Sequence, residues 1–157
     1  MIKSYQYHDK GLSDMQERLW KNDPRTILIC VDAYENKILK GRFYNKTLPN
    51  GAVFHSTIEL LRSMECLLDT NQSPQSFVSI RSWNEAMTYS ITPAQQSCVG
   101  AYATFSVHIL FRQNAGWQGT IHWFENNQRL CFRSVLEFLF LIDNALSTKH
   151  LKEDSIS

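Results

Sequence analysis

The strongest constraint on the fold of this chain is an internal similarity between its two halves. When the sequence is shifted against itself by 78 positions without gaps, residues 26–70 lie over residues 104–148. Nine matched positions are identical, and the apolar positions keep the same phase in both halves. This pattern predicts that the chain contains two copies of one structural unit. The identical pairs are Thr26/Thr104, Asn36/Asn114, Gly41/Gly119, Phe54/Phe132, Ser56/Ser134, Glu59/Glu137, Leu61/Leu139, Leu68/Leu146 and Thr70/Thr148.

Each predicted unit begins with three strands. Apolar and polar residues alternate over 27–34 in the first half and over 105–112 in the second. A second alternating segment follows in each half, and a short third one ends at Phe54 or at Phe132. Alternation with period two is typical of a strand that buries one face.

A helix follows the three strands in both halves. The tetrapeptides that begin at Ser56 and at Ser134 each end in glutamate, which is the spacing of a capping box. We expect each serine to accept a hydrogen bond from the glutamate amide and each glutamate to accept one from the serine amide. Helices are therefore predicted over 56–69 and 134–147, and apolar spacing predicts a further short helix over Leu12–Trp20.

The composition is that of a folded domain with its own core. The chain has 157 residues, of which 43% are hydrophobic and 20% are charged. We expect one α+β domain spanning residues 1–157, built of tandem β-β-β-α repeats with antiparallel sheets and with the helices on one side. The segment 71–103 is rich in Ser, Gln, Asn and Thr, and we interpret it as an irregular linker between the repeats.

Charge and cysteine usage restrict the partners and the compartment. The formal net charge is only +1, so a nucleic-acid partner is not favoured. No apolar run is long enough to cross a bilayer, and the N-terminal segment does not have the pattern of a signal peptide. The four cysteines form neither a CxxC pair nor a zinc-binding pattern. We therefore expect reduced thiols in a cytoplasmic protein.

The second predicted helix is apolar on almost all sides. A helix of this kind is buried on more than one side, either between the two repeats or in an interface with another chain. Phe138 and Phe140 point in different directions along it. We expect a homodimer with this helix at or near the interface, and a protein partner is the other possibility.

One face of the second unit collects polar side chains. The alternation predicts a three-residue loop at 114–116 that ends in a left-handed glycine, and a two-residue turn at 126–127. These turns place His108 opposite His122, and His122 opposite Cys131, on the face away from the core. The candidate ligand-binding residues on this face are His108, Arg112, Gln118, His122 and Arg129.

The residues on this face suit ligand binding better than catalysis. Three ligands abreast on a flat sheet make poor tetrahedral geometry, so neither a metal nor a cofactor is predicted. The chain contains no GxSxG, HExxH, P-loop or GxGxxG motif, and an enzyme is not favoured. The corresponding face of the first unit interleaves aromatic and basic residues, which can stack on bases and neutralise phosphates. These residues are Tyr34, Lys40, Arg42 and Tyr44.

Two functional hypotheses follow. The first is a non-catalytic binding or regulatory module that acts through a homodimer or a protein partner. The alternative is a binder of a small ligand or of single-stranded nucleic acid, which would use the open sheet face.

Two segments of the second unit resemble a family signature. FRQNAGWQG begins at Phe111, and FRSVLEFLFLIDNAL begins at Phe132. Together with the N-terminal segment, they resemble an uncharacterised family of short bacterial proteins. The resemblance implies a bacterial protein, and it brings no known activity, ligand or catalytic residue.

Overall fold

The computed structural model describes residues 18–78, 81, 83, 90, 91 and 98–156. Residues 18–22 are helical, and the remainder of the helix predicted over Leu12–Trp20 lies outside the described residues. The other elements, in chain order, are β1 (Thr26–Glu35), β2 (Ile38–Asn45), β3 (Leu48–Phe54), α1 (Thr57–Asn71), β4 (Ser90–Ile91), β5 (Ala103–Phe111), β6 (Gln118–Trp123), β7 (Gln128–Phe132) and α2 (Val135–Asp154).

The strands form one antiparallel sheet in the order β4-β3-β2-β1-β5-β6-β7. The two-residue β4 pairs with β3 at one edge, and β1 pairs with β5 at the centre. The expected α+β class is therefore confirmed. The two groups of three long strands join edge to edge into a single sheet and do not pack face to face.

Both helices contribute to one core on the same face of the sheet. Strand residues at alternate positions, such as Ile29 and Val107, belong to the same buried cluster as Leu60 of α1 and Phe138 of α2, and all four are fully buried. Each large apolar side chain buried in this way stabilises the fold by about 1.5–3 kcal/mol. The helices therefore cover one side of the sheet, as the alternation predicts.

The β1–β2 and β5–β6 hairpins turn through the same backbone conformation. Asn36 and Lys37 have φ angles of 52° and 64°, and Asn114 and Ala115 have φ angles of 55° and 54°. Two consecutive left-handed residues are typical of a type I′ turn. The expected three-residue loop with Gly116 in the left-handed conformation is therefore wrong.

The strand register of the second half also differs from the prediction. The connection between β6 and β7 has four residues instead of two. Because both connections of β6 differ from the predicted turns, His122 lies opposite Ser106 on β5 and Arg129 on β7, rather than opposite His108 and Cys131. Because side chains alternate with period two, this two-residue difference changes the neighbours of each residue and preserves its face.

Two glycines permit close approach of neighbouring strands. A Cβ atom at Gly41 in β2 would overlap the backbone oxygen of Cys30, and one at Gly119 in β6 would overlap that of His108. Any larger residue would force these strands apart. This contact explains why glycine stands at both matched positions.

The helix starts confirm one half of the predicted capping boxes. The hydroxyl of Ser56 accepts a hydrogen bond from the amide of Glu59 at 3.2 Å, and Ser134 accepts one from Glu137 at 3.1 Å. The Glu59 carboxylate, however, accepts from the amide of His55 at 2.9 Å and not from that of Ser56. The serine contact was predictable because it is set by local spacing.

The second helix is longer than predicted. It continues to Asp154, beyond the expected end at residue 147. Among the helices of the described residues, none is both long and apolar enough to span a membrane.

Candidate functional site

His108 ties the outward face of β5 to the start of β1. Its Nδ1 lies 2.9 Å from Oγ1 of Thr26 and 3.7 Å from Oδ2 of Asp23. A catalytic relay needs the acid and the nucleophile at opposite ring nitrogens, but both groups here approach the same one. This geometry favours a structural contact at His108.

His122 and Arg129 are neighbours on the outward face of β6 and β7. The His122 ring packs against Phe124 with a centroid separation of 4.4 Å, and its Nε2 lies 3.3 Å from Oδ1 of Asn127. Its Nδ1 is buried without a hydrogen-bond partner among the described residues. The Arg129 side chain is exposed beside this ring.

Gln118 joins two chain segments next to the β5–β6 turn. Its side-chain oxygen accepts from the amide of Gln113 at 3.0 Å, and its side-chain nitrogen donates to the Gln113 carbonyl at 3.2 Å. The same nitrogen lies 3.4 Å from the carbonyl oxygen of Arg133. These bonds engage both polar atoms of the side chain, so Gln118 stabilises the turn.

Arg112 lies on the helix-covered face, so its predicted place among the outward residues is wrong. The register of β5 shifts between Ile109 and Phe111, and such a bulge interrupts the alternation of side chains. The guanidinium of Arg112 donates to the carboxylates of Glu65 and Asp69 on α1. The Arg112 side chain is only 2% exposed. It is therefore inaccessible to a ligand on the outward face.

Glu65 is a buried carboxylate that receives donors on both oxygens. Arg112 donates to Oε1, and the indole nitrogen of Trp117 donates to Oε2 at 2.5 Å. A buried charge requires such partners because it has lost its hydration. The cluster fixes helix α1 of the first half to the sheet of the second half.

A matching contact fixes helix α2 to the first half. The hydroxyl of Tyr34 and the ammonium of Lys37 both donate to Asp143. These two donors hold the pKa of Asp143 below its usual value. The shift of 78 positions matches Tyr34 to Arg112 and Asp143 to Glu65. Local spacing does not reveal either contact, because the partners lie far apart in the sequence, but the shift relates one contact to the other.

The outward face of the first half is covered rather than open. A second buried cluster forms there from residues of β1, β2 and the flanking segments. Tyr44, which was expected on an exposed binding face, is 3% exposed within this cluster. The members of the cluster are Trp20, Leu28, Cys30, Tyr44 and Phe124.

Arg42 is also buried on this face, in a two-pronged ion pair. Its Nε and Nη2 donate to the two carboxylate oxygens of Asp32 at 2.8 and 2.9 Å. Burial raises the pKa of Asp32, but the hydrogen bonds from Arg42 and from the Ala101 amide outweigh it and lower the pKa overall. Burial raises the pKa of the neighbouring Cys30 thiol well above its usual range, so this cysteine is not an activated nucleophile.

The outer side of α2 carries large apolar side chains without cover. Leu136, Phe140 and Leu151 are 61%, 60% and 70% exposed. Phe138 is fully buried in the core and does not belong to this surface. We call the three exposed residues the α2 stripe.

Comparison of the chain with protein-family models, with curated proteins and with solved structures finds no match. The resemblance to a family of short bacterial proteins therefore stays a prediction.

Among the described residues, no group of three or more His, Cys, Asp or Glu side chains could hold a metal ion. All four cysteines lie within the described part of the chain, and none of them forms a disulfide bond.

Proposed function

We propose that this protein is a non-catalytic binding or regulatory module that acts as a homodimer, with helix α2 at the interface. The observation that carries the proposal is the α2 stripe, in which Leu136, Phe140 and Leu151 are all more than half exposed. Grouped apolar side chains of this size are typical of protein contact surfaces. Burying them against a second copy removes this area from water.

The contrast between the two helices supports this proposal. The shift of 78 positions matches Leu136 to Ile58 and Phe140 to Arg62 on α1. Arg62 is exposed, so the outer side of α1 carries a charge where α2 carries a phenyl ring. The outer side of α1 thus combines the exposed Ile58 with a charge, whereas the α2 stripe is apolar at all three positions and suits contact with protein.

The α2 stripe is complementary to itself when two helices run antiparallel. A two-fold axis near Asn144 brings Leu136 of one copy to Leu151 of the other. The same axis places Phe140 over Ser147, whose small side chain leaves room for the ring. Contacts of this kind, in which one surface patch meets its own copy, are those of a two-fold dimer.

Charges at the two ends of the stripe favour the same arrangement. The axis near Asn144 brings Arg133 of one copy towards Asp154 of the other, and these side chains are 87% and 67% exposed in the single chain. Opposite charges at the rim of an interface steer association and fix its register.

The substitution Phe140→Arg tests the interface by giving α2 the residue that α1 has at the matched position. We expect it to convert the dimer to a folded monomer, because each copy would bury an arginine in the interface in place of a phenyl ring. Sedimentation equilibrium at micromolar concentration measures the mass, and circular dichroism measures the fold. Ile58→Arg, on the exposed start of α1, is the matched control and should remain dimeric.

Two results would contradict the homodimer. One is a wild-type mass of a single chain at micromolar concentration. The other is a dimer that survives Phe140→Arg but is lost with Ile58→Arg, which would move the interface to α1.

The finer architecture that we propose is a single domain of two tandem β-β-β-α repeats related by a pseudo-two-fold axis. The axis would pass between Leu28 and Ser106, which are Cα partners and which the 78-residue shift matches to each other. The equal hairpin turns, the glycines and the serine caps support this relation. The strand register is also irregular at Val31/Ala33 and at Ile109/Phe111. The 78-residue offset matches these two irregularities to each other.

Binding of single-stranded nucleic acid to the sheet face is the less favoured alternative. Arg42 and Tyr44 are buried, so they cannot contact bases or phosphates without local unfolding. Lys40 and Arg129 are exposed, but the net charge is only +1. The cytoplasmic location that the cysteine pattern predicts is part of the same proposal.

A further inference from the structure

A cavity of about 360 Å³ lies between α2 and the strands of the second half. Its apolar lining includes Phe105 and Ile121 from the sheet and Leu141 and Ala145 from α2. This volume falls near the lower end of the range typical of small-molecule sites, so it suits a compact ligand. The cavity lies on the helix-covered face, away from the candidate residues His108, His122 and Arg129.

Two positions of this lining correspond to leucines in the first half. By the shift of 78 positions, Asn126 matches Leu48, and Ala145 matches Leu67. Leu48 and Leu67 are 7% and 1% exposed, so both belong to the core. The second half has a polar side chain and a small one at these positions. The small side chain of Ala145 therefore leaves space at a position where the first half has a buried leucine.

The lining determines the chemistry of a suitable ligand. None of the described residues that line the cavity is ionisable, so it offers no partner for a charged group. Trp123 packs beside Phe105 with a centroid separation of 6.2 Å, and their rings suit an aromatic body. Amide and hydroxyl groups supply hydrogen-bond donors and acceptors at the edge. They belong to Asn126, Gln128, Asn144 and Thr148.

We infer that this cavity binds an uncharged, compact aromatic molecule that carries a hydrogen-bonding group. The inference does not depend on the homodimer, because the cavity is lined by residues of one chain. The α2 stripe also faces away from it, since none of its three residues lines the cavity.

The test uses the full chain and the uncharged fluorophore N-phenyl-1-naphthylamine, with the anionic 1-anilinonaphthalene-8-sulfonate for comparison. We expect saturable binding of one uncharged fluorophore per chain, and binding of the anion at least tenfold weaker. Ala145→Leu restores the leucine of the first half and should weaken binding of the uncharged fluorophore at least tenfold. Asn126→Leu provides a second way to fill the cavity if the first variant does not fold.

Ile58→Arg, on the exposed start of α1 and outside the cavity lining, is the control and should bind like the wild type. Three results would overturn the inference. They are the absence of saturable binding of either fluorophore by the wild type, equally tight binding by the folded filling variant, and loss of binding in Phe140→Arg with retention in Ala145→Leu. The last result would assign the fluorophore to the α2 stripe.

Discussion

Arg112 and Arg129 show how one side-chain type serves different purposes on the two faces of the sheet. Arg112 is enclosed beneath α1, where it neutralises Glu65, whereas Arg129 is exposed on β7. The alternation of apolar and polar residues predicts that both lie on the outward face. This is wrong for Arg112, because the alternation does not reveal the bulge that precedes it. The distant partner, Glu65, could not be recognised from local spacing.

Arg112→Met should lower the free energy of unfolding by about 3–5 kcal/mol, because it leaves the buried Glu65 carboxylate without its cationic partner. Urea unfolding at fixed protein concentration measures the loss. Arg129→Met is the matched control and should change the stability by less than about 0.5 kcal/mol. Equal effects of the two substitutions would contradict the structural role of Arg112 and return it to the candidate ligand-binding residues.

At the scale of elements, the parts of the fold set by local chemistry were predictable. Strand faces follow from alternation, and helix starts follow from Ser56 and Ser134. The hairpin turns were not predicted correctly, because Asn114 and Ala115 adopt left-handed conformations that glycine usually provides. The α2 stripe was predicted in part, since apolar residues all round a helix do not reveal which side the core covers.

Ser56→Ala and Ser134→Ala should each lower the free energy of unfolding by about 0.5–2 kcal/mol, because each removes an acceptor for an amide in the first helical turn. Denaturant midpoints of the two single variants check this expectation. Substitution by glycine at either position should cost only a few tenths of a kcal/mol. Unchanged midpoints in both alanine variants would show that water replaces the serine hydroxyls without loss.

At the scale of the molecule, the two halves are connected too closely to be independent units. β1 pairs with β5 from Thr26/His108 to Val31/Ala103 at the centre of the sheet. Helix α1 is hydrogen-bonded through Glu65 to the β5–β6 connection of the second half, and α2 is hydrogen-bonded through Asp143 to β1 of the first half. One core cluster contains residues of both halves. These connections predict that the chain unfolds in a single cooperative transition.

One isoleucine-to-alanine substitution in the core of each half tests this cooperativity. Ile29→Ala in β1 and Ile109→Ala in β5 each empty a fully buried site and should cost about 2–5 kcal/mol. Hydrogen exchange at the amides of Phe43 and Ile121 reports on the first and the second half. Because both amides are protected by the same global unfolding, Ile109→Ala should accelerate exchange equally at the two positions, and so should Ile29→Ala. Acceleration confined to the half that carries the substitution would mean that each β-β-β-α unit opens by itself, and the central β1–β5 pairing would then be a contact between two separate folding units.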